Sequence, residues 1–325
     1  MKAAVLADVG TLAIEERAEP SVADDEVLLD VEACGICGTD LHILSTPPSH
    51  PANVGVVLGH EFVGRVRERG SAVESLGVAD RVAVAPNLWC GECAWCRRGL
   101  RNQCERGTTY GIFIDGGLAP RVAVKARVCF PISTDLPAHV AALAEPLSTV
   151  VHGARQASAF PGERAVVIGG GPIGAMFCAL LTLAGASVTV VEPVRERAEL
   201  AAALGAVDVV APDGVGGLEA EIVVDAVGSQ LDAALGIVAR GGRVLLFGMN
   251  EHARAEVAQS RITRDELTVV GSYVGQDVLP DAIRLLEQGR IDFARLVTHR
   301  IAVDELPDAI DELRAGRALK VEVEL

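Results

Sequence analysis

Positive charge is in short supply in this sequence: 29 Lys and Arg stand against 44 Asp and Glu, leaving a formal charge of -15. That balance repels phosphate backbones, so no nucleic acid and no anionic membrane surface is expected as a partner. An N-terminal apolar h-region is also missing. The chain opens Met1-Lys2-Ala3-Ala4-Val5-Leu6-Ala7-Asp8 and meets an acid at once, which argues against a secretory signal and for a cytoplasmic protein. Eight cysteines in such a chain, six of them in two closely spaced clusters, read as metal ligation or redox chemistry rather than a disulfide framework. Internal repeats and low-complexity linkers are absent. One stretch, Ala165 to Val191, lacks any charged residue, and a run of that length is nominally long enough to span a bilayer.

At 325 residues the chain exceeds what one core usually holds, so two domains are expected. Up to about residue 135, short apolar runs such as Glu26 to Ala33, Val54 to Leu58 and Arg81 to Ala85 are broken by Gly, Pro and Asp. They read as strands of a β-rich domain with long loops. From about Leu136, strand-like segments (Arg164 to Ile168, Ser187 to Val191, Val207 to Val210, Glu221 to Asp225, Arg243 to Phe247) alternate with helical ones (Pro172 to Leu183, Arg195 to Leu204, Leu231 to Ala239). This alternation predicts an α/β domain whose parallel sheet is covered on both faces. Two later helices, Leu279 to Gln288 and Glu305 to Ala315, alternate with strands near Val297 to Val303 and Lys320 to Glu324. Asp304 is expected to cap the second helix and Gly316 to stop it.

Inside the uncharged run sits Gly169-Gly170-Gly171-Pro172-Ile173-Gly174, directly after Val166-Val167-Ile168 and directly before a helical stretch. This is G-x-G-x-x-G in strand-turn-helix context. Gly169 serves a tight turn, Gly171 the close approach of a pyrophosphate, and Gly174 the packing of helix on strand, with backbone N–H groups at the helix start facing the phosphates. Glu192 ends the next strand, 21 residues past Gly171. A carboxylate there accepts hydrogen bonds from both adenosine ribose hydroxyls and repels a 2′-phosphate, so NAD is expected ahead of NADP. Arg195, just beyond it, argues the other way, and Arg197 is a candidate for the adenine side. The membrane reading fails because five glycines and a proline interrupt the run, leaving a helix too short to span.

Two constellations suit metal. Cys90, Cys93, Cys96 and Cys104 form C-x2-C-x2-C-x7-C; four thiolates at this spacing can close a tetrahedron around Zn²⁺ with no open position, a structural site. An iron-sulfur cluster is the competing reading, although it commonly shows other spacing. The second is dispersed: Cys34-Gly35-Ile36-Cys37-Gly38-Thr39-Asp40-Leu41-His42, then Gly59-His60-Glu61. A catalytic zinc needs mixed N, S and O donors with one position for substrate, which Cys37, His60 and Glu61 would supply. Adjacent side chains alternate on a strand, so either one of His60 and Glu61 lies in a turn or Glu61 ligates only part of the time. Cys34 is either a redox partner of Cys37 or a small buried residue.

Together these motifs, with Asp115-Gly116-Gly117, resemble the zinc-dependent medium-chain dehydrogenase/reductase superfamily over essentially the whole chain. The resemblance implies a GroES-like β-rich catalytic domain at 1–140 with a structural zinc lobe at about 86–106. It further implies a Rossmann NAD-binding domain with a doubly wound parallel sheet at 141–275, and a return to the catalytic domain at 276–325. It implies catalytic zinc ligands at Cys37 and His60, Glu61 as a ligand or exchanging neighbour, and the remaining ligand at Glu145 in Ala144-Glu145-Pro146-Leu147. Val227 and Gly248 fall in the family's cofactor site. Glu-Pro at 145 and 146 is similar to the sorbitol, threonine and glucose dehydrogenase branch, whereas liver-type enzymes carry cysteine, so the substrate is expected to be a polyol, sugar or related secondary alcohol. Departures are Gly38 in place of Arg, Pro120-Arg121 after Ala119, and a 43–57 segment without any aromatic residue.

On this reading zinc lowers the pKa of the substrate hydroxyl, Thr39 and His42 relay its proton outward, and hydride passes to NAD, giving a ketone. Two zinc ions per chain and a homodimer or homotetramer, formed through the apolar edge Leu267 to Val274, are expected. Competing readings are a non-catalytic zinc-stabilised scaffold, an NADP-linked reductase of the same superfamily, and a thiol-disulfide protein using Cys34 and Cys37.

Overall fold

The computed structural model describes residues 1–325 and divides them into two compact units, Met1–Pro146 with Leu279–Leu325, and Leu147–Val278. The first is built on a seven-stranded sheet. Along it run His299–Ala302, Val321–Glu324, Glu26–Gly35, Glu61–Arg69, Arg81–Val84 and Cys129–Pro131, with Arg121–Lys125 also pairing Glu26–Gly35. All pairings are antiparallel except His299–Ala302 with Val321–Glu324. Val27, Leu29, Val66, Val82, Val124 and Val323 fill the core between this sheet and the hairpin Lys2–Asp8/Thr11–Glu16, as expected where one face of an antiparallel sheet is buried.

The second unit is a six-stranded parallel sheet in the order Asp208–Val210, Ser187–Val191, Arg164–Ile168, Ala220–Asp225, Val238–Leu246, Thr268–Gly271. This is the doubly wound order whose switch point lies between Arg164–Ile168 and Ala220–Asp225, where ligands bind at the carboxyl ends of the strands. Val166 to Ile168 and Ile222 to Val224 are buried on both faces, which is why these strands read as continuous apolar runs. The helix Pro172–Leu183 packs on them so closely that a Cβ at Gly174 would strike the Gly169 carbonyl. Phe177 lies fully buried in that helix, edge-on to Phe247 with centroids 4.8 Å apart. No helix is long and apolar enough to cross a membrane.

Two sequence expectations are corrected. Val54 to Leu58 is not a strand of the sheet: Gly55 and Gly59 adopt φ of +91° and +89°, and only Val57 makes an isolated bridge, to Val5. Asp304 does not cap the last helix, which runs Leu306–Arg314 out of a 3-10 turn at Val303–Glu305. Its carboxylate instead pairs with Lys2, and Glu305 accepts the Ala302 N–H at 2.8 Å.

Candidate functional site

His60 and Glu61 escape strand alternation because the strand begins only at Glu61. Gly59, at φ +89°, occupies the left-handed region that a side chain rarely tolerates and swings His60 out of line with the strand. The Asp115-Gly116-Gly117 loop clamps this turn: Asp115 accepts the Val57 N–H at 2.9 Å and Gly117 donates to the Gly59 carbonyl at 2.8 Å. Cys37 stands at the N-cap of the helix Gly38–Ile43, its N–H held by Asp40 Oδ2 at 2.9 Å. The Cys37 Sγ, one His60 nitrogen and one Glu61 carboxylate oxygen then lie within 4.8 Å of one another. Thr39 Oγ1 is 3.7 Å from the Cys37 sulfur, and His42 is exposed on the same helix.

The electrostatics of the cluster suit a cation. Asp40 is 1% exposed and its Oδ1 lies 3.7 Å from His60 Nδ1, yet neither atom has a hydrogen-bond partner. A carboxylate behind a ligating imidazole is the usual way to orient it on a metal. Burial works against a charge on His60, but the Asp40 carboxylate and Cys37 outweigh it and hold the imidazole pKa well above its ordinary value. Burial pushes the Glu145 carboxyl up to about 7, against the pull of His60, with Glu61 adding to the rise. Glu145 enters from the first turn of the helix Ala144–Ala157 and is 9% exposed. The half-buried Cys37 thiol, the His60 imidazole and the Glu61 carboxylate lie mutually close, a donor set that fits zinc. Glu145 stands outside this close group and is joined to it by its electrostatic coupling to His60 and Glu61. The Glu61 Oε2 atom meanwhile accepts from the ammonium of Lys320.

A pH dependence of metal uptake follows. Zinc needs Glu145 ionised, and below about pH 7 its carboxyl holds a proton that the metal must displace. Affinity at this centre therefore falls as pH drops below 7, by roughly tenfold per unit for this one proton. A chelator-competition titration checks it; affinity unchanged between pH 7 and 5 contradicts it.

The second donor set needs no adjustment. The sulfurs of Cys90, Cys93, Cys96 and Cys104 lie within 4.8 Å of one another, with 3.5 Å between Cys104 and Cys90. Backbone N–H groups of Glu92 and Cys93 point at Cys90 Sγ at 3.4 and 3.3 Å, and these bonds lower its thiol pKa to about 6. Four sulfurs with no room for a further ligand fit a structural zinc.

In the parallel-sheet unit, the glycine turn from 169 to 174 leaves Gly171 with open space where a Cβ would stand. Glu192 is buried; its Oε2 accepts the Gly170 N–H at 2.7 Å and its Oε1 the Val194 N–H at 2.8 Å. The carboxylate is thereby fixed against the glycine turn, and each oxygen keeps further accepting capacity. Arg195 is turned to Glu199 at 2.8 Å and Arg197 is half-buried in the helix Arg195–Ala203. Val227 is exposed at the end of Ala220–Asp225. Beside it a cavity of about 210 Å³ is lined by Asp225, Gly228, Leu246 and Gly248 among others.

Three site residues escape the sequence reading. Asp40 left a local signal, an acid three residues after Cys37 that holds the Cys37 N–H. Lys320 and Glu322 left none, because an alternating Lys320-Val321-Glu322-Val323-Glu324 reads as a half-exposed strand. Val321, Glu322 and Val323 are in fact all 0% exposed.

Comparison with known proteins bears on both units. The family model described as "Alcohol dehydrogenase GroES-like domain" matches residues 23–134, and that described as "Zinc-binding dehydrogenase" matches 172–288. The D-altritol 5-dehydrogenase of Agrobacterium fabrum is 38% identical over 308 residues, covering 89% of this chain and 90% of its own. A Sinorhizobium meliloti protein solved with NADP superposes with a TM-score of 0.95 at 33% identity, covering 100% of this chain and 99% of its own. An alcohol dehydrogenase of Escherichia coli solved with NADH superposes at 0.93 with 28% identity, covering 100% and 99%.

Proposed function

Since the chain belongs to the zinc-dependent alcohol dehydrogenase superfamily and is an NAD(P)-linked oxidoreductase of alcohols and ketones, we propose that it oxidises a polyol to a ketose with NAD at the Cys37–His60–Glu145 centre. The observation that carries this is the convergence of the half-buried Cys37 with the buried His60 and Glu61, with Glu145 and Asp40 in the same electrostatic cluster. Cys37, His60 and Glu145 would hold zinc, which when bound acidifies a substrate hydroxyl, while a bound dinucleotide supplies the hydride acceptor. Asp40, 3.7 Å behind the His60 ring, would orient it on the bound metal. The Thr39 hydroxyl, beside the Cys37 sulfur, would accept the alcohol proton as it hands its own to the ribose of the bound dinucleotide. His42, exposed one turn further, would take the proton from the ribose and pass it to water.

The polyol class is supported by the D-altritol 5-dehydrogenase relative. For the cofactor, the fixed Glu192 carboxylate opposes a 2′-phosphate, and Arg195 is occupied by Glu199. Glu192→Ala is expected to cut the preference for NAD over NADP by roughly ten- to a hundredfold, the worth of a lost charged hydrogen bond or two. Ratios of kcat/KM with each dinucleotide measure it, and an unchanged ratio contradicts the assignment. The edge strand Thr268–Gly271, with Val269 exposed, is the surface through which a homodimer would form.

A zinc-stabilised scaffold without turnover is the second reading. Metal analysis separates the two: two zinc ions per chain, one for each donor cluster, support the enzyme. One zinc, with no dinucleotide-linked turnover, supports the scaffold.

A further inference from the structure

Behind His60 lies a crossing made almost entirely of backbone. Three segments meet there, 57–60, 109–112 and 114–118, and each brings a buried glycine to the contact: Gly59, Gly111 and Gly116. The fit leaves no room for a side chain at any of them. A Cβ on Gly116 would strike the Gly59 carbonyl oxygen and the Gly111 Cα. One on Gly111 would strike the Gly59 carbonyl and come within 2.8 Å of the His60 nitrogen, and one on Gly59 would lie 2.6 Å from both Cys34 Sγ and Leu118 Cγ. The obstacles at Gly111 and Gly116 are main chain, which cannot swing aside as the end of a side chain can.

Hydrogen bonds hold the three segments in register. Gly116 donates to the Val57 carbonyl at 2.8 Å, Gly117 to Gly59 at 2.8 Å, Leu118 to Leu58 at 3.0 Å, and Gly111 to Ile114 at 2.7 Å. The peptide unit that joins Gly59 to His60 is planar. Whatever fixes the Gly59 carbonyl therefore also fixes the His60 nitrogen and the direction in which that side chain leaves the backbone. The direction matters, because no hydrogen bond reaches the imidazole at Nδ1, and the regular pairing of the strand begins only at Glu61.

We propose that Gly111 and Gly116 are positioning residues for the metal ligand His60: their bare α-carbons bear on the Gly59–His60 peptide and aim the imidazole at the point where it meets Cys37 and Glu61. Asp115 belongs to the same device, since its carboxylate accepts the Val57 N–H at 2.9 Å and draws its loop against 57–60. This rests on the metal centre proposed above.

The test uses the whole protein with zinc kept in the four-cysteine lobe and Co²⁺ offered to the Cys37 centre. Chelator competition reads cobalt affinity, the visible spectrum reads ligand geometry, and Tm reads stability. Gly116→Ala is expected to weaken cobalt binding by roughly ten- to a hundredfold, the weight of a residue that orients a ligand, and to shift the spectrum while the lobe keeps its zinc. Gly111→Ala should do the same, with added strain from its φ of +75°. Gly70→Ala is the matched control. It lies just past the far end of the strand that starts at Glu61, and a Cβ there also strikes a main-chain carbonyl, that of Ala23. It should lose stability and keep wild-type cobalt binding. Where neither Gly116→Ala nor Gly111→Ala folds, Asp115→Ala loosens the clamp without adding an atom and is expected to weaken cobalt binding by roughly three- to tenfold, the weight of one hydrogen bond. Folded variants with wild-type cobalt affinity and spectra overturn the proposal while leaving the metal centre intact. Gly70→Ala losing cobalt as readily overturns it too, because the loss would then follow stability alone. Failure of the wild-type protein to take up cobalt at this centre overturns the metal reading itself.

Discussion

Replacing Cys37 by Ser should lower kcat/KM for alcohol oxidation by on the order of a thousandfold while the chain keeps the zinc of its four-cysteine lobe. The size follows from the several kcal/mol that a bound metal contributes by stabilising charge on the substrate oxygen, at about 1.4 kcal/mol per tenfold. A serine hydroxyl stays protonated where a thiolate would bind, and His60 and Glu145 cannot hold the ion alone. Metal analysis run beside the kinetics should show the zinc content falling by one ion per chain. Activity retained in Cys37→Ser but lost in Cys34→Ser would instead favour thiol-disulfide chemistry, a role for which Cys34 is badly placed. It is 0% exposed, and burial raises its thiol pKa well above the ordinary value, the reverse of what a reactive thiol needs.

The second large effect is on stability. Between residues 89 and 107 the chain has a four-residue helix at Ala94–Arg97, a 3-10 turn at Arg101–Gln103, and no apolar core beyond Cys96; Trp95 and Leu100 are exposed. Only the metal can order such a lobe, and structural zinc in small domains supplies roughly 10–16 kcal/mol of folding free energy. Changing any one of Cys90, Cys93, Cys96 or Cys104 to Ser should release that zinc and lower Tm by on the order of 10 °C, which corresponds to only about 3 kcal/mol in a domain of this size. Calorimetry on a variant with confirmed zinc loss checks this, and an unchanged Tm would mean that the lobe is held by something else.

What could be read in advance depended on how local the signal was. The G-x-G-x-x-G turn, its flanking strand and helix, and the acid at Glu192 are contiguous or one β-α-β unit apart, so their periodicity and spacing show directly. The four cysteines fall within fifteen residues. The His60–Glu61 pair was half legible: strand alternation required a departure, and Gly59 supplies it as a left-handed turn just before the strand. Val54 to Leu58 imitates a strand because Val56-Val57-Leu58 is an apolar run between Gly55 and Gly59, and its single bridge partner, Val5, is invisible locally. Lys320 and Glu322 were hidden for a stronger reason. Their meaning depends on the register that sets Glu322 against Gly35, and Gly35 against Glu61, across strands nearly 290 residues apart in sequence. A row of that kind leaves no pattern in any single stretch of chain.

The most direct test of the central claim is a panel of polyols, sugars, amino sugars and hydroxy amino acids offered to the zinc-loaded protein with NAD and, separately, with NADP, reading reduced nicotinamide by absorbance. The account predicts NADH formation from at least one polyol, with the same polyol turned over less well with NADP and on the order of a thousandfold less well by Cys37→Ser. No reduced dinucleotide from any member of the panel, in a protein confirmed to hold zinc at both donor clusters, would contradict it.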